Sequence, residues 1–546
     1  MALKRAWSRR SFGGLSMNAN VEQWQVRKAA VTSEAGVVAA QHWLAARAGA
    51  AVLDEGGNAI DAAVATAFAL GIVEPWMCGI GGAGYLVAWL ADERRAVAID
   101  FQGMLPQDIR LEDYPLDPSL PTSLMGFPGV FDNRHVEGPF SVLVPGAVSG
   151  LAEAVARFGT FGLDRVMAPS LRLAERGLPV DWHATLMIAL ESRKLAKDPA
   201  AAALFLPGGH PALPERYLSN PALLRTYRAI AEEGPGVVHG GRIGEAMARD
   251  LQRLGSRITA EDFAAYEARV FEAMATSHRG HTVYTAGETS GGVRLNEALG
   301  HVAEELDPSR GIGAHTYAVY GTALDRAFAA HERRLGRAAP ATGCTSHLSV
   351  VDAQGNMVAL TYTLLNRFGS GVLLPETGVL MNNSVSYFDP RPGFPTTMRG
   401  RLKINASNMC PTVVVKDGAA RFAVGASGAN HIVPCTFQLT ALQLDYGLDL
   451  EQAFHTPRID ASNRGSLRVD PRVGDAVLAE LGERFELEIA QQLVFPKLYA
   501  CPAGVARDPA TGRCSGIADV GSPIAGAAAA GPLELDDRFE APTVRA

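Results

Sequence analysis

The sequence predicts an α+β fold of antiparallel sheets covered by helices, rather than a parallel doubly wound fold. Two observations predict it: short apolar runs pair across turn residues, and the stretches between them have helical spacing. Because hairpins form antiparallel sheets and these strands are apolar on both faces, the sheets need covering layers. The predicted hairpins pair Tyr85–Leu90 with Ala96–Ile99, Leu348–Val351 with Met357–Thr363, and Val413–Val415 with Arg421–Val424.

Helices are predicted before the first hairpin and between the later ones. The spacing predicts one helix from about Gly36 to Leu53, ended by Gly56-Gly57. Asn58 is placed to cap a second, alanine-rich helix that runs to about Val73. Because apolar residues cover every face of this second helix, we expect it to be buried between layers. The other predicted helices are Val148–Phe158, Gly244–Leu254, Leu295–Glu305, Tyr317–Leu335 and Phe437–Leu444.

Composition is typical of a soluble globular protein. The 546 residues are 47% hydrophobic and 20% charged, and the formal net charge is −7 with scattered basic residues, so no nucleic-acid partner is expected. The longest apolar stretch, Ala62 to Val73, is too short to span a bilayer, so no membrane association is expected either. The six cysteines form no CxxC pair, which is typical of a reducing compartment.

The N-terminal segment contains a short motif that resembles an export signal. Ser8-Arg9-Arg10-Ser11-Phe12 resembles a twin-arginine signal, but no apolar segment follows it. We therefore interpret residues 1–30 as a disordered basic leader and expect a cytoplasmic protein.

Two patterns that often mark cofactor or metal sites have the wrong context here. Residues 79–84 match GxGxxG, but a predicted helix precedes them and a strand follows, the reverse of a dinucleotide site. This context favours a turn where backbone segments pack closely. His278 and His281 have no nearby carboxylate or cysteine set. We expect neither a cofactor nor a metal.

A second glycine-rich segment, residues 425–431, is predicted to join a strand to a helix. Backbone N–H groups at such a turn can hold a negative oxygen, although a purely structural tight turn is also consistent with the pattern. It does not match GxSxG, so a serine-hydrolase elbow is not expected.

Several blocks in the same order resemble the gamma-glutamyltransferase family of N-terminal-nucleophile hydrolases. The resemblance extends from about Ala30 to about Ala530 and implies a four-layer αββα sandwich made as a self-cleaving precursor. It implies fragments 31–344 and 345–546 that stay together as a heterodimer, and it leaves open whether two heterodimers associate. The blocks are residues 56–63, 79–82, 144–148, 291–292, 345–347, 382–383 and 411–412.

The resemblance assigns catalytic roles to four residues. Thr345 matches the nucleophile, and cleavage after Cys344 would free its α-amine to act as the base. This chemistry is sound, because an α-amine titrates near pH ~8 and can activate a weakly nucleophilic hydroxyl. Thr363 matches the threonine that binds this amine, and Gly428 with Ala429 matches a two-glycine oxyanion hole.

The positions that hold a glutamyl group in the family depart from its pattern. Gln102 stands where the family has arginine, and Ser407-Asn408 replaces two serines. Leu365, Ser384 and Tyr387 replace an asparagine, a glutamine and an aspartate. These changes remove a carboxylate clamp and the partners of an ammonium group.

A segment around Phe388 resembles the family's oxamate amidohydrolase and cephalosporin-acylase-like branch. Arg391 and Arg401 lie in the loop that covers the active site in relatives and are candidate partners for a substrate carboxylate, although a solvated loop charge is also consistent with each.

The first hypothesis is accordingly a self-processing amidohydrolase acting on a small amide that carries a carboxylate. A glutathione hydrolase or transferase with a rebuilt pocket, and an inactive binding protein, are the alternatives.

Overall fold

The computed structural model describes residues 26–123, 125–335, 344–463 and 465–535. Within these ranges the strands, labelled β1 to β19 in chain order, are Val31–Ser33, Gly36–Ala40, Ala83–Leu90, Arg95–Phe101, Leu178–Val180, Arg216–Leu218, Arg269–Glu272, Met274–His278, His281–Thr285, Ser346–Asp352, Met357–Thr363, Thr412–Lys416, Ala419–Ser427, Ile459–Asp460, Leu467–Val469, Leu487–Ile489, Cys501–Arg507, Cys514–Ala518 and Gly526–Ala529. The helices, labelled α1 to α15, are Trp43–Asp54, Ala59–Val73, Ala147–Phe158, Leu163–Arg176, Trp182–Leu190, Ser192–Leu195, Pro199–Phe205, Pro221–Glu233, Arg242–Arg253, Ala260–Ala264, Gly292–Glu305, Ala314–Leu335, Ile432–Tyr446, Leu450–His455 and Asp475–Gly482.

Two large sheets form the centre of the protein. One has the strand order β19-β2-β10-β11-β3-β4-β7, and the other has the order β1-β18-β17-β13-β12-β9-β8. Strand β10, which begins one residue after Thr345, lies in the middle of the first sheet between β2 and β11. All pairings in these two sheets are antiparallel, so the predicted α+β class is confirmed.

The three predicted hairpins are all present. Strands β3 and β4, β10 and β11, and β12 and β13 pair as expected, the last with an irregularity between Val414 and Val415. The turn between β12 and β13 has positive φ at Asp417 and Gly418, 53° and 72°, as an Asp-Gly hairpin turn requires.

Apolar side chains fill the space on both faces of each sheet. Buried residues of β3 and β10 contact buried residues of β12, β13 and β17 in one cluster, which joins the two sheets. A second cluster joins the first sheet to α1, α2 and α4. A third joins the second sheet to α11, α12 and α13.

The alanine-rich helix α2 agrees with its prediction. The Asn58 side chain accepts hydrogen bonds from the amides of Ile60 and Asp61, and the Asp61 carboxylate accepts one from the Asn58 amide. Every residue of α2 is buried, as its uniformly apolar surface predicted.

The prediction of a helix from Gly36 to Leu53 was wrong in its first part. Residues Gly36–Ala40 form strand β2, and the helix begins at Trp43, where His42 caps it. The β-branched pair Val37-Val38 is buried between β10 and β19, so sheet pairing with distant segments overrides the helical spacing.

The described residues begin at Val26, inside the segment predicted as a leader. The Lys28 ammonium donates hydrogen bonds of 2.8 and 2.7 Å to the carbonyls of Asp519 and Ala525. The twin-arginine-like motif at residues 8–12 lies outside the described residues. In the part of the chain that the structure describes, no helix combines the length and apolarity needed to cross a bilayer.

Candidate active site

Thr345 lies at the entrance of the central strand β10 and is 3% exposed. Its hydroxyl donates a hydrogen bond of 2.6 Å to the carbonyl oxygen of Cys344, the residue before it. The hydroxyl of the candidate nucleophile is therefore already in contact with the peptide group that self-cleavage would attack.

Thr363, at the end of the neighbouring strand β11, contacts the same carbonyl. Its hydroxyl donates to the Cys344 oxygen at 2.6 Å and accepts the amide of Leu365 at 2.7 Å. The Cys344 amide in turn donates to the Leu365 carbonyl at 2.6 Å. In the uncleaved chain, Thr363 thus polarises the Cys344 carbonyl, whereas the sequence analysis gave it a bond to the amine that cleavage would create.

The GxGxxG segment packs against the end of strand β11, where Thr363 lies. A Cβ atom placed on Gly82 would lie 2.4 Å from the carbonyl oxygen of Thr363, and one on Gly81 would lie 2.2 Å from that of Leu380. Only glycine permits such close backbone approach, so this segment is the packing turn that its context predicted. A helix precedes it and strand β3 follows.

The Asn382-Asn383 pair fixes the loop that packs against the strand end. The Asn382 side chain donates to the carbonyls of Gly81 and Leu143 at 2.8 and 3.0 Å. The Asn383 amide donates to the Leu364 carbonyl at 3.0 Å. These bonds bring the 382–387 segment next to the residues that follow Thr363.

A cavity of about 330 Å³ opens beside Cys344. Gly428 and Ala429 line this cavity together with Cys344, so the structure brings the predicted oxyanion turn to the predicted cleavage site. The two residues begin a 3₁₀ turn that leads into α13, as the strand-to-helix prediction required. Ala429 has φ of 52°, a conformation in which glycine, the family's residue here, is less strained.

Three of the predicted substrate residues have a buried polar atom without a hydrogen-bond partner among the described residues. These atoms are Gln102 Oε1, Ser384 Oγ and Asn408 Oδ1. Asn408 also donates from Nδ2 to Asn430 Oδ1 at 2.8 Å, which ties its loop to the oxyanion turn. Since buried polar atoms are rarely left unpaired, these atoms are candidates for contact with a polar ligand or water.

Three further predicted pocket residues are Leu365, Tyr387 and Ser407, and each either lies in an apolar cluster or already has a hydrogen-bond partner. Leu365 and Tyr387 belong to one buried apolar cluster with Leu143 and Val385. The Ser407 hydroxyl accepts the amide of Met409 at 3.2 Å.

None of the eight predicted substrate positions lines this cavity, and the two loop arginines proposed as carboxylate partners are paired or exposed elsewhere. Arg391 forms a two-point ion pair with Asp389, with distances of 2.9 and 2.7 Å, and its guanidinium stacks 4.2 Å from the Phe394 ring centre. Arg401 is exposed.

Arg367 lines the cavity instead, and the sequence analysis missed it. Its nearest recorded carboxylate is Glu191, at 4.0 Å, which also pairs with Lys194 at 3.0 Å. The Arg367 guanidinium is therefore loosely paired and 30% exposed at the cavity. Its position four residues after Thr363 was the only signal available in the sequence.

Glu74 is a second cavity residue that sequence reasoning missed. It ends helix α2, is 3% exposed, and accepts the Ser346 hydroxyl at 2.9 Å. Burial raises the pKa of this carboxyl to about 8, and the Ser346 hydrogen bond opposes the shift. Glu74 is thus protonated over most of the neutral range.

The raised pKa of Glu74 predicts that stability falls as pH rises. The pKa of this carboxyl is about 8 in the folded protein and 4.5 in the unfolded chain, so its proton is bound more tightly in the folded state. Its stabilisation of the folded state is complete below pH 4.5 and is lost as the pH rises to 8. Glu74→Gln should remove the loss, which is on the order of 5 kcal/mol over the full transition at ~1.4 kcal/mol per pKa unit. Thermal melting from pH 5 to 8.5 measures it, and parallel curves for the two proteins would contradict it.

His278 and His281, which the sequence analysis considered as metal ligands and did not favour, each contact another group of the protein. His278 Nε2 lies 2.8 Å from Asp445 Oδ1, and His281 Nδ1 lies 3.0 Å from the Arg279 carbonyl oxygen. Among the described residues, no group of three or more histidine, cysteine, aspartate or glutamate side chains is arranged to hold a metal ion.

The chain is similar to known proteins over most of its length. A family model described as gamma-glutamyltranspeptidase matches residues 45–339 and 323–521. The chain is 33% identical over 501 residues to the acylase ACY 1 proenzyme of Pseudomonas sp. (strain SE83), covering 84% of this chain and 88% of that protein. It is 30% identical over 481 residues to the glutathione hydrolase proenzyme of Escherichia coli (strain K12), covering 78% and 81%.

A solved structure shares the fold. A cephalosporin acylase from Bacillus halodurans superposes with a TM-score of 0.82 at 23% identity, covering 94% of this chain and 99% of that one. The fold and its relatives define an enzyme that acts on amide bonds. The chain belongs to the gamma-glutamyltranspeptidase family, which confirms the resemblance and its acylase leaning.

Proposed function

We propose that this chain is a precursor that cuts itself between Cys344 and Thr345 and then hydrolyses a small amide carrying a carboxylate. The observation that carries the proposal is the pair of 2.6 Å hydrogen bonds that the Thr345 and Thr363 hydroxyls donate to the Cys344 carbonyl oxygen. The word proenzyme in the names of both sequence relatives supports a precursor.

In self-cleavage, the Thr345 hydroxyl oxygen attacks the Cys344 carbonyl carbon while Thr363 holds the oxygen. The carbon–nitrogen bond then breaks, and the nitrogen takes the hydroxyl proton and becomes the free Thr345 amine. The ester left on the Thr345 oxygen is hydrolysed by water, which releases the Cys344 carboxyl group and restores the Thr345 hydroxyl. In the mature enzyme this amine takes the hydroxyl proton, the amide substrate acylates Thr345, and the leaving amine departs with that proton. The amides of Gly428 and Ala429 are the proposed donors to the developing oxyanion.

The two fragments, 31–344 and 345–546, are proposed to remain together as a heterodimer. Strand β10 follows the cut and pairs with β2 of the first fragment through five residue pairs, while β11 pairs with β3 through seven. The cluster between the sheets and the clusters on their outer faces support the four-layer αββα order that the resemblance implied.

The substrate class follows from the charges and the wall of the cavity. Arg367 supplies a loosely paired positive charge, and Trp76, Met187 and Phe495 form an apolar wall. A short acyl chain ending in a carboxylate fits both features, since an arginine binds a carboxylate through two hydrogen bonds. Glutamyl recognition is not expected, because Leu365 and Tyr387, which stand where the family places ammonium partners, are buried in an apolar cluster.

A panel of amides tests this substrate class. Glutaryl and oxamate-like amides should be hydrolysed more efficiently than gamma-glutamyl-nitroanilide or glutathione by several powers of ten, since each lost charged hydrogen bond costs about 1.5–3 kcal/mol. Arg367→Gln should lower kcat/KM for glutaryl-nitroanilide by roughly 10- to 100-fold and leave butyryl-nitroanilide, which lacks the carboxylate, unchanged.

Arg401→Gln is the matched control, because it removes an exposed arginine outside the cavity wall. Equal efficiency on glutathione and glutaryl amides would favour a glutathione hydrolase with a rebuilt pocket. A chain that stays at full length and hydrolyses nothing would favour a binding protein. If Arg401→Gln lowers kcat/KM for glutaryl-nitroanilide and Arg367→Gln does not, the substrate carboxylate binds to the covering loop and not to Arg367.

A further inference from the structure

His431 stands beside the oxyanion turn and lines the same cavity as Cys344. Its amide donates to the Gly428 carbonyl at 3.0 Å, which closes the 3₁₀ turn. A Cβ atom on Gly428 would lie 3.7 Å from the Cβ of His431. His431 therefore belongs to the same 3₁₀ turn as the two candidate oxyanion residues, and its side chain is 26% exposed.

Asp460 and Ser462 fix one nitrogen of this imidazole. His431 Nδ1 lies 2.8 Å from Asp460 Oδ2 and 3.1 Å from the Ser462 hydroxyl oxygen. Asp460 Oδ1 accepts both the Ser462 amide, at 2.8 Å, and the Ser462 hydroxyl, at 2.5 Å. Burial would raise the pKa of Asp460, but His431 and Ser462 lower it below its ordinary value, so the carboxyl stays ionised.

An ionised carboxylate only accepts hydrogen bonds, so Nδ1 of His431 carries the proton. In the neutral imidazole the lone pair is then on Nε2. The structure records no described residue bonded to Nε2. This is the arrangement in which a carboxylate orients a histidine as a general base.

Burial and neighbouring charges shift the pKa values of other titratable groups in the cavity. Burial lowers the pKa of His183 to about 4 and raises those of Glu74 and Cys501 to about 8 and about 12. Burial alone would lower the pKa of Lys497, but its Asp519 partner raises it. Further titratable groups are Arg367 and Tyr499, which line the cavity, and Arg458 and Asp519, which lie near Cys435 together with Asp460.

We propose that His431, oriented by Asp460, is the general base that activates the hydrolytic water in the second half of the reaction. This inference rests on the acyl-threonine chemistry proposed above. His431 Nε2 takes a proton from water as the water oxygen bonds to the acyl carbon. The bond from that carbon to the Thr345 oxygen breaks, the oxygen receives the proton from the imidazolium, and the carboxylic acid leaves.

This assignment separates the two halves of the reaction. The Thr345 amine serves the first half, in which the amide is broken, and His431 serves the second, in which the ester is hydrolysed. Removing the imidazole should therefore leave acylation intact and trap the acyl-enzyme.

The test uses the mature two-fragment protein with glutaryl-nitroanilide. His431→Gln should release about one equivalent of nitroaniline per site in a burst and then turn over roughly 10²- to 10⁴-fold more slowly than the unchanged protein. Intact mass should show a glutaryl adduct on the fragment that begins at Thr345. Added hydroxylamine, which attacks esters without a general base, should restore release of the acyl group.

Asp460→Asn should give a weaker version of the same pattern, because the imidazole loses its fixed tautomer. His455→Gln is the matched control: this histidine bonds the Glu451 carbonyl at 2.8 Å, away from the cavity, and its loss should change neither phase.

Unchanged steady-state turnover in His431→Gln, or equal loss of the burst and the steady rate without rescue by hydroxylamine, would overturn the role of His431. A second measurement quenches each protein with acid during the burst phase and looks for an adduct on Thr345. If neither the unchanged protein nor any variant carries this adduct, the acyl-threonine chemistry is overturned and this inference with it.

Discussion

Replacing Thr345 with alanine is expected to leave one uncut chain with no amide-cleaving activity. The alanine lacks the hydroxyl that contacts the Cys344 carbonyl oxygen at 2.6 Å, so neither the ester nor the free catalytic amine can form. Denaturing gels and intact mass measure the cut, and the amide panel measures the activity. The loss should be complete, because processing and catalysis depend on the same oxygen.

Thr345→Ser is the control for this variant, since it keeps a hydroxyl in the same place. It should still cut itself after Cys344. An N-terminus at any residue other than 345 in the unchanged protein would contradict the assignment, as would two fragments in Thr345→Ala.

Replacing Thr363 with alanine is expected to slow maturation and turnover together, by on the order of 10²-fold. Its hydroxyl is one of two donors to the Cys344 carbonyl oxygen, and it is held there by the Leu365 amide at 2.7 Å. After cleavage the same hydroxyl is left next to the new Thr345 amine, which it should orient. A time course of fragment formation and the turnover of the matured fraction measure the two effects separately.

Thr363→Ser keeps the donor and should behave nearly as the unchanged protein does. Thr361→Ala serves as a neighbouring control, because that threonine bonds His347 Nδ1 at 2.8 Å rather than the cleavage site. A mature Thr363→Ala enzyme working at full rate would show that the hydroxyl has no part in turnover.

The elements that the sequence predicted well are those whose partners lie nearby in the chain. Each predicted hairpin joins two strands across a short turn, and the Asn58 cap contacts amides two and three residues ahead. Local turn chemistry and alternation are enough to specify such contacts. The helix predicted from Gly36 failed because β2 is defined by partners about 310 and 490 residues away, Val350 and Ala528.

The candidate site divides in the same way. The sequence by itself was enough to propose Thr345, Thr363 and the oxyanion turn as candidates, because these residues belong to contiguous blocks that resemble the family. It also determined that the glutamyl-binding positions are changed, since each can be read from its own block.

Only the tertiary structure decided which charged groups share the cavity. It places Arg367 there and leaves Arg391 paired with Asp389, although both arginines are charged residues outside the strands and helices. It also joins His431 to Asp460, which lies 29 residues further along the chain on strand β14. The physical reason is that the role of a charged side chain depends on the groups that surround it after folding, and these come from segments that the chain order does not bring together.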